Sequence, residues 1–211
     1  MRERPILMSS PMVRAILEGR KSQTRRVVKP QPRDDTTGFL TGIEHEVVHH
    51  WPINGGDYTG SGVRCPYGVP GDRLWCKETW SKAKSCNCSD IFYRADGEVS
   101  GKQTALSYIE RERTWRPSIF MPRWASRITL EVTDVRVERL QAISDADVIA
   151  EGIGYDADGY CWSDESAPSR GQPLTINPID AYRWLWESIN GAGSWDANPW
   201  VWVVSFRRIE A

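Results

Sequence analysis

Within residues 127–137 apolar and polar side chains alternate: Ile128, Leu130, Val132, Val135 and Val137 stand among Thr129, Glu131, Thr133, Asp134 and Arg136. Successive side chains of a strand point to opposite faces, so this stretch must have one face buried and one wet. A strand of that kind needs partners. Residues 6–9 read as a short strand, and 73–80 as another entered from the turn Pro70-Gly71-Asp72. Residues 91–94 and the apolar run 200–206 read the same way. Three helical segments accompany them. Residues 10–19 begin at Ser9-Ser10-Pro11, where serine suits a cap and proline the first turn, and stop at Gly19. Residues 144–152 open on Ser144 with Asp147 three positions on, a variant of the capping box, and end at Gly152. In residues 178–189, Ile179, Tyr182, Leu185, Trp186 and Ile189 recur at helical spacing. Residues 31–68 and 154–173 are polar and lack periodicity, so they read as two loop insertions. The expected architecture is one α+β domain over residues 1–211: a small mixed β-barrel with flanking helices.

Composition narrows the function. Hydrophobic residues make up 40% of the 211 and charged residues 26%, a globular balance. No apolar run is long enough to span a membrane. Ile6-Leu7-Met8 is too short for a signal-peptide core, so a cytoplasmic location is expected. Five cysteines without such a signal fit reduced thiols. Cys86-Asn87-Cys88 has the wrong spacing for common zinc knuckles, even with Cys65, Cys76, His45, His49 and His50 as further ligands. No metal or cofactor is therefore expected. The net charge is only −1, but it is segregated. Residues 1–33 hold nine Arg/Lys, whereas residues 144–166 hold seven acids and no base. Tryptophan is abundant, at 11 residues, and Trp115 and Trp124 interleave with Arg111, Arg113, Arg116, Arg123 and Arg127. Guanidinium groups meet phosphates and indoles stack on bases, so this suits a nucleic-acid surface; a solvated face with arginines on structural tryptophans is the alternative.

The most specific stretch is Glu18-Gly19-Arg20-Lys21-Ser22-Gln23-Thr24-Arg25-Arg26. A lysine three residues before a threonine, just past a helix stop, brings an amine and a hydroxyl toward one pocket. Lysine becomes a base near neutral pH only if it is desolvated or set beside other cations, which Arg20, Arg25 and Arg26 would supply. Threonine needs such a base to become a nucleophile. A phosphate clamp without chemistry is the other reading of these residues.

With its first strand, the Gly-Arg-Lys-x-x-Thr motif, Pro70-Gly71-Asp72, the long strand, Ala150-Glu151-Gly152 and the last strand, the chain resembles the ASCH-domain family, which has a PUA-like β-barrel. The long form with Cys65-Pro66-Tyr67-Gly68 is similar to versions carried by bacteria and their prophages. Some small ASCH proteins remove the acetyl group from N4-acetylcytidine, using a lysine and a threonine in this motif and a glutamate on a later helix. The resemblance implies Thr24 as nucleophile, Lys21 as base and Glu151 as the acid, with Trp75, Tyr93 or Trp124 stacking on the base. It implies a modified nucleoside or RNA as partner. A non-catalytic RNA or nucleobase reader is the alternative, and a nuclease a weaker one, since no acidic metal-binding cluster stands out.

Overall fold

The computed structural model describes residues 1–32, 36–41, 48–52, 64–82, 91–96, 114–156, 159–161, 175 and 177–209. In chain order the elements are β1 (Glu3–Leu7), α1 (Ser10–Leu17), β2 (Gln23–Val27), β3 (Thr36–Thr41), β4 (Val48–Pro52), β5 (Arg73–Lys77), β6 (Trp80–Lys82) and β7 (Ile91–Tyr93). After these come β8 (Thr129–Arg139), α2 (Asp145–Ala150), β9 (Gly154–Asp156), β10 (Gly159–Cys161), α3 (Pro178–Asn190) and β11 (Trp200–Ile209). The class is α+β, as the pattern requires. The main sheet has five strands in the order β1-β5-β8-β11-β2, with only the β1–β5 pair parallel. It does not close into the expected barrel: among the described residues β1 and β2 are its two edges. Part of the span between them is bridged by a side chain, because Arg26 of β2 donates to the Leu7 carbonyl of β1 at 2.6 Å.

The alternating stretch is the middle strand, and its pattern carries a phase shift. Leu130 and Val132 are buried, after which the inward positions become Val135 and Val137. A bulge opposite Ser205/Phe206 absorbs the extra residue, so both pairs face one core. That core lies against α1, with Ile6, Val13, Leu74, Val132, Trp202 and Val204 among its members. The opposite face of β11, Val201 and Val203, packs under α2 and α3 with Val148, Tyr182, Leu185 and Trp186. β11 is thus covered on both sides, which explains its continuous apolar run. The bulge has a second effect. Arg136 and Glu138 now stand on the α2/α3 face, opposite Val203 and Val201.

Local expectations fare unevenly. Ser144 and Asp147 form both arms of a capping box, the Ser144 hydroxyl accepting from the Asp147 N–H at 3.2 Å and the Asp147 carboxylate from the Ser144 N–H at 3.3 Å. Ser9 is the N-cap of α1, but its hydroxyl makes no capping bond. The basic segment after Gly19 becomes strand β2 from Gln23 onward. The two polar insertions are not wholly loop, since β3–β4 and β9–β10 are antiparallel hairpins. His45, Cys86, Cys88, Arg33, Arg111 and Arg113 lie outside the described residues, as do the side chains of His49 and His50. Among the described residues no group of three or more His, Cys, Asp or Glu could hold a metal ion, and no helix is long and apolar enough to cross a membrane. Burial raises the thiol pKa of Cys65 to about 11 and of Cys76 to about 12, which leaves both unreactive near neutrality.

Candidate active site

The loop between α1 and β2 is shaped by backbone bonds. Gly19 adopts φ +76°, and the N–H groups of Arg20 and Lys21 both donate to the Ala15 carbonyl, at 2.8 and 3.0 Å. The Ser22 N–H then donates to the Ala150 carbonyl at 2.9 Å, tying the loop to the end of α2. Arg20 is largely exposed; it pairs with Glu18 and donates to the Gly152 carbonyl at 3.0 Å. Gly152 sits at φ +93°, where an added Cβ would stand 3.0 Å from Ala15 Cβ and 3.1 Å from Lys21 Cβ. Both neighbours are backbone-anchored, so neither can swing aside. Gly152→Ala is expected to lower stability by about 1–2 kcal/mol from the left-handed conformation alone, read by urea denaturation. A neutral result would mean that this turn does not hold Lys21 in place.

Lys21 Nζ is fully buried and donates to Glu151 twice, to the backbone carbonyl at 2.7 Å and to Oε2 at 2.7 Å. The carbonyl belongs to the free C-terminal end of α2, which favours a cation. Burial pulls the Lys21 pKa below the ordinary 10.5, while the Glu151 carboxylate opposes that shift. Glu151 Oε1 accepts from Arg25 at 3.3 Å. The Arg25 guanidinium has no exposed surface and is shared among Gln23 at 2.7 Å, Glu138 at 2.6 Å and Asp147 at 3.2 Å as well. Arg136 closes the cluster with bonds to Glu138 at 3.2 Å and Asp147 at 2.9 Å. Lys21, Arg25 and Arg136 thus meet Glu151, Glu138 and Asp147 in one network, with the more exposed Asp134 at its edge, 3.7 Å from Arg136. Desolvation acts to raise the Asp147 pKa, but its bonds with Ser144 and the charge of Arg25 hold it well below the usual carboxylate value.

A cavity of about 60 Å³ runs along the edge strand β2. Thr24, Arg25, Arg26 and Val27 line it together with Met12 of α1, Glu151, and Tyr182 and Trp186 of α3. Lys21 stands behind Glu151 and is not part of the wall. The Nε atoms of Arg25 and Arg26 and the indole N–H of Trp186 are buried without a hydrogen-bond partner. Such groups are uncommon in folded proteins, and here three come from the lining of one cavity. Burial also drives the Tyr182 hydroxyl pKa well above its ordinary value, so it remains a neutral phenol.

Lys21, Thr24, Arg25, Arg26 and Glu151 therefore gather at one place. The second group of candidates lies elsewhere, around the segment 114–127. Arg123 pairs with Glu3 at 3.0 Å and lies 6.0 Å from the Trp75 ring. Arg116 stacks on Trp80, and Trp124 meets Trp80 edge-on at 5.6 Å while remaining 64% exposed. Tyr93 donates its hydroxyl to the Ala125 carbonyl at 2.9 Å and carries Arg127 on its ring at 3.9 Å. None of these residues lines the cavity. The aromatic wall comes from Tyr182 and Trp186, which helical periodicity assigns simply to a core face. Glu138 and Asp147 also escape a reading of motifs, because their link to Arg25 depends on strand pairing. Comparison with known proteins finds no matching family model, no matching curated protein and no matching solved structure.

Proposed function

We propose that this chain is an ASCH-domain protein of PUA-like type, its sheet open between β1 and β2, that hydrolyses the amide of an N4-acylated cytidine in a nucleoside or RNA. The observation that carries this reading is the buried Lys21–Glu151 pair at 2.7 Å, with Glu151 and Thr24 lining one cavity. Burial lowers the Lys21 pKa, which moves the amine toward the neutral form that a general base needs. Thr24 Oγ attacks the acyl carbonyl carbon, and its proton passes by way of the Glu151 carboxylate to Lys21 Nζ behind it. The C–N bond then breaks as that proton returns from Lys21 through Glu151 to the departing N4 amine. Water hydrolyses the acyl-threonine ester and restores the hydroxyl. Cavity size agrees with this division of labour: about 60 Å³ holds roughly four waters. That suits an acylamide, with the sugar outside.

A second reading, recognition of a modified base without turnover, is favoured by the three unpartnered donors of Arg25, Arg26 and Trp186. Purified protein incubated with N4-acetylcytidine separates the two. Release of cytidine, followed by chromatography and lost in Thr24→Ala, supports the hydrolase. No product from a panel of acylated nucleosides, alongside salt-sensitive RNA binding, sinks it and leaves the reader.

A further inference from the structure

A second and larger cavity, about 280 Å³, adjoins the first and shares Arg26 with it. Its walls are Pro5, Ile6 and Leu7 of β1, Tyr67, Lys77 at the end of β5, and Ile119. Among the described residues no acidic side chain lines it. The Arg26 side chain bonds to the Leu7 carbonyl and, at 3.8 Å, to Met8 Sδ; Lys77 bonds to the Ile119 carbonyl and lies 5.5 Å from the Trp75 ring. Two positive charges without a carboxylate partner among the described residues therefore face one cavity, and the Arg26 Nε–H is buried and unpartnered. Arg4, Arg25, Arg123, Arg127, Arg136 and Arg207 each pair with an acid, whereas Arg139 and Arg208, like Arg26, donate to backbone carbonyls. The remaining wall is apolar, with a tyrosine, a proline and three aliphatic residues.

We propose that this cavity is a nucleotide subsite. It takes a phosphate between Arg26 and Lys77 and a ring against Tyr67, Leu7 and Ile119. The ligand is the phosphate-bearing neighbour of the base whose acyl group enters the first cavity, which makes a strand rather than a free nucleoside the substrate class. This assignment rests on the proposed function for its orientation but not for its chemistry: the charges and the apolar wall call for a nucleotide whether or not turnover follows. The size fits too, since about 280 Å³ lies near the lower end, roughly 300 Å³, of sites for small organic ligands.

The test measures binding, so it does not depend on catalysis. Cytidine, cytidine 5′-monophosphate and a short single-stranded RNA are titrated against the protein by calorimetry at several salt concentrations. The strand is expected to bind more tightly than the monophosphate, and the monophosphate more tightly than cytidine. Lys77→Gln keeps a donor for the Ile119 carbonyl while removing the charge. It is expected to weaken strand binding about tenfold and to reduce the salt slope by about 0.7, the signature of one lost phosphate contact on a single strand. Lys77→Arg should restore both. Equal affinity of wild type and Lys77→Gln for the strand and the monophosphate, with the salt slope unchanged, overturns the proposal even if N4-acetylcytidine is hydrolysed. Conversely, the expected losses in a protein that turns over no acylated nucleoside leave the subsite standing and remove only the hydrolase. Tighter binding of the monophosphate than of the strand would overturn the assignment to a strand.

Discussion

Arg25→Met is expected to lower the unfolding free energy by about 3–5 kcal/mol, the range for breaking a buried charge pair from one side. Its guanidinium has no exposed surface and meets Glu138, Asp147 and Glu151 between 2.6 and 3.3 Å. Methionine fills much of the volume but leaves those carboxylates short of one positive charge. Each keeps another partner, Arg136 for Glu138 and Asp147 and Lys21 for Glu151, so the loss should fall at the lower end. Urea denaturation followed by tryptophan fluorescence gives the number directly. Arg136→Met is the control. Its side chain is 36% exposed, and solvent screening should keep its cost below about 1 kcal/mol. Acid titration adds a sign. The Asp147 pKa is depressed in the folded state, so its contribution is present above the unfolded value near 3.8 and disappears as pH falls through the lower folded value. Removing Arg25 takes away one source of that depression and should move the acid midpoint to higher pH. A loss under about 1 kcal/mol for Arg25→Met would place this cluster among ordinary surface pairs, and the account of the site would fall with it.

Replacing Lys21 by methionine is expected to reduce turnover of N4-acetylcytidine by about 10²- to 10⁴-fold, the usual worth of a positioned general base. Stability should suffer less than in Arg25→Met, because Glu151 retains Arg25. The distinguishing readout is the pH profile. Burial lowers the lysine pKa, so wild-type activity should rise with pH through a midpoint below 10.5 and then level off. Lys21→Met should lose that basic limb along with the rate. Thr24→Ser, which keeps a hydroxyl, should retain measurable turnover with the same limb, whereas Thr24→Ala should not. A profile unchanged by Lys21→Met would show that the pair with Glu151 holds the loop and moves no proton.

The legible parts of the chain were those governed by local periodicity. The strand at 129–139, the capped helix at Ser144 and the amphipathic helix at 178–190 follow from spacing and capping chemistry, and the structure forms all three. β2 was not legible. Its sequence, Gln-Thr-Arg-Arg-Val, is too polar to read as a strand, and it folds as one because β11 offers a ladder and the carboxylates of β8 and α2 neutralise Arg25. Ile189 illustrates the converse. It belongs to the apolar periodicity of α3 yet is 53% exposed, at the mouth of the cavity rather than in the core.

The amino-acid order by itself determined the class of fold, the elements with clear periods, and the candidates Lys21 and Thr24, while Glu151 came from the resemblance to the ASCH family. Only the tertiary structure decided that Lys21 and Glu151 meet, across 130 positions of chain. The bulge in β8 turned Arg136 and Glu138 toward Arg25, and the helix between Pro178 and Asn190 supplied the wall opposite Thr24. Local patterns act through neighbours a few residues apart. A buried ion network and a cavity depend on register and packing between distant segments, and those are set only when the sheet assembles.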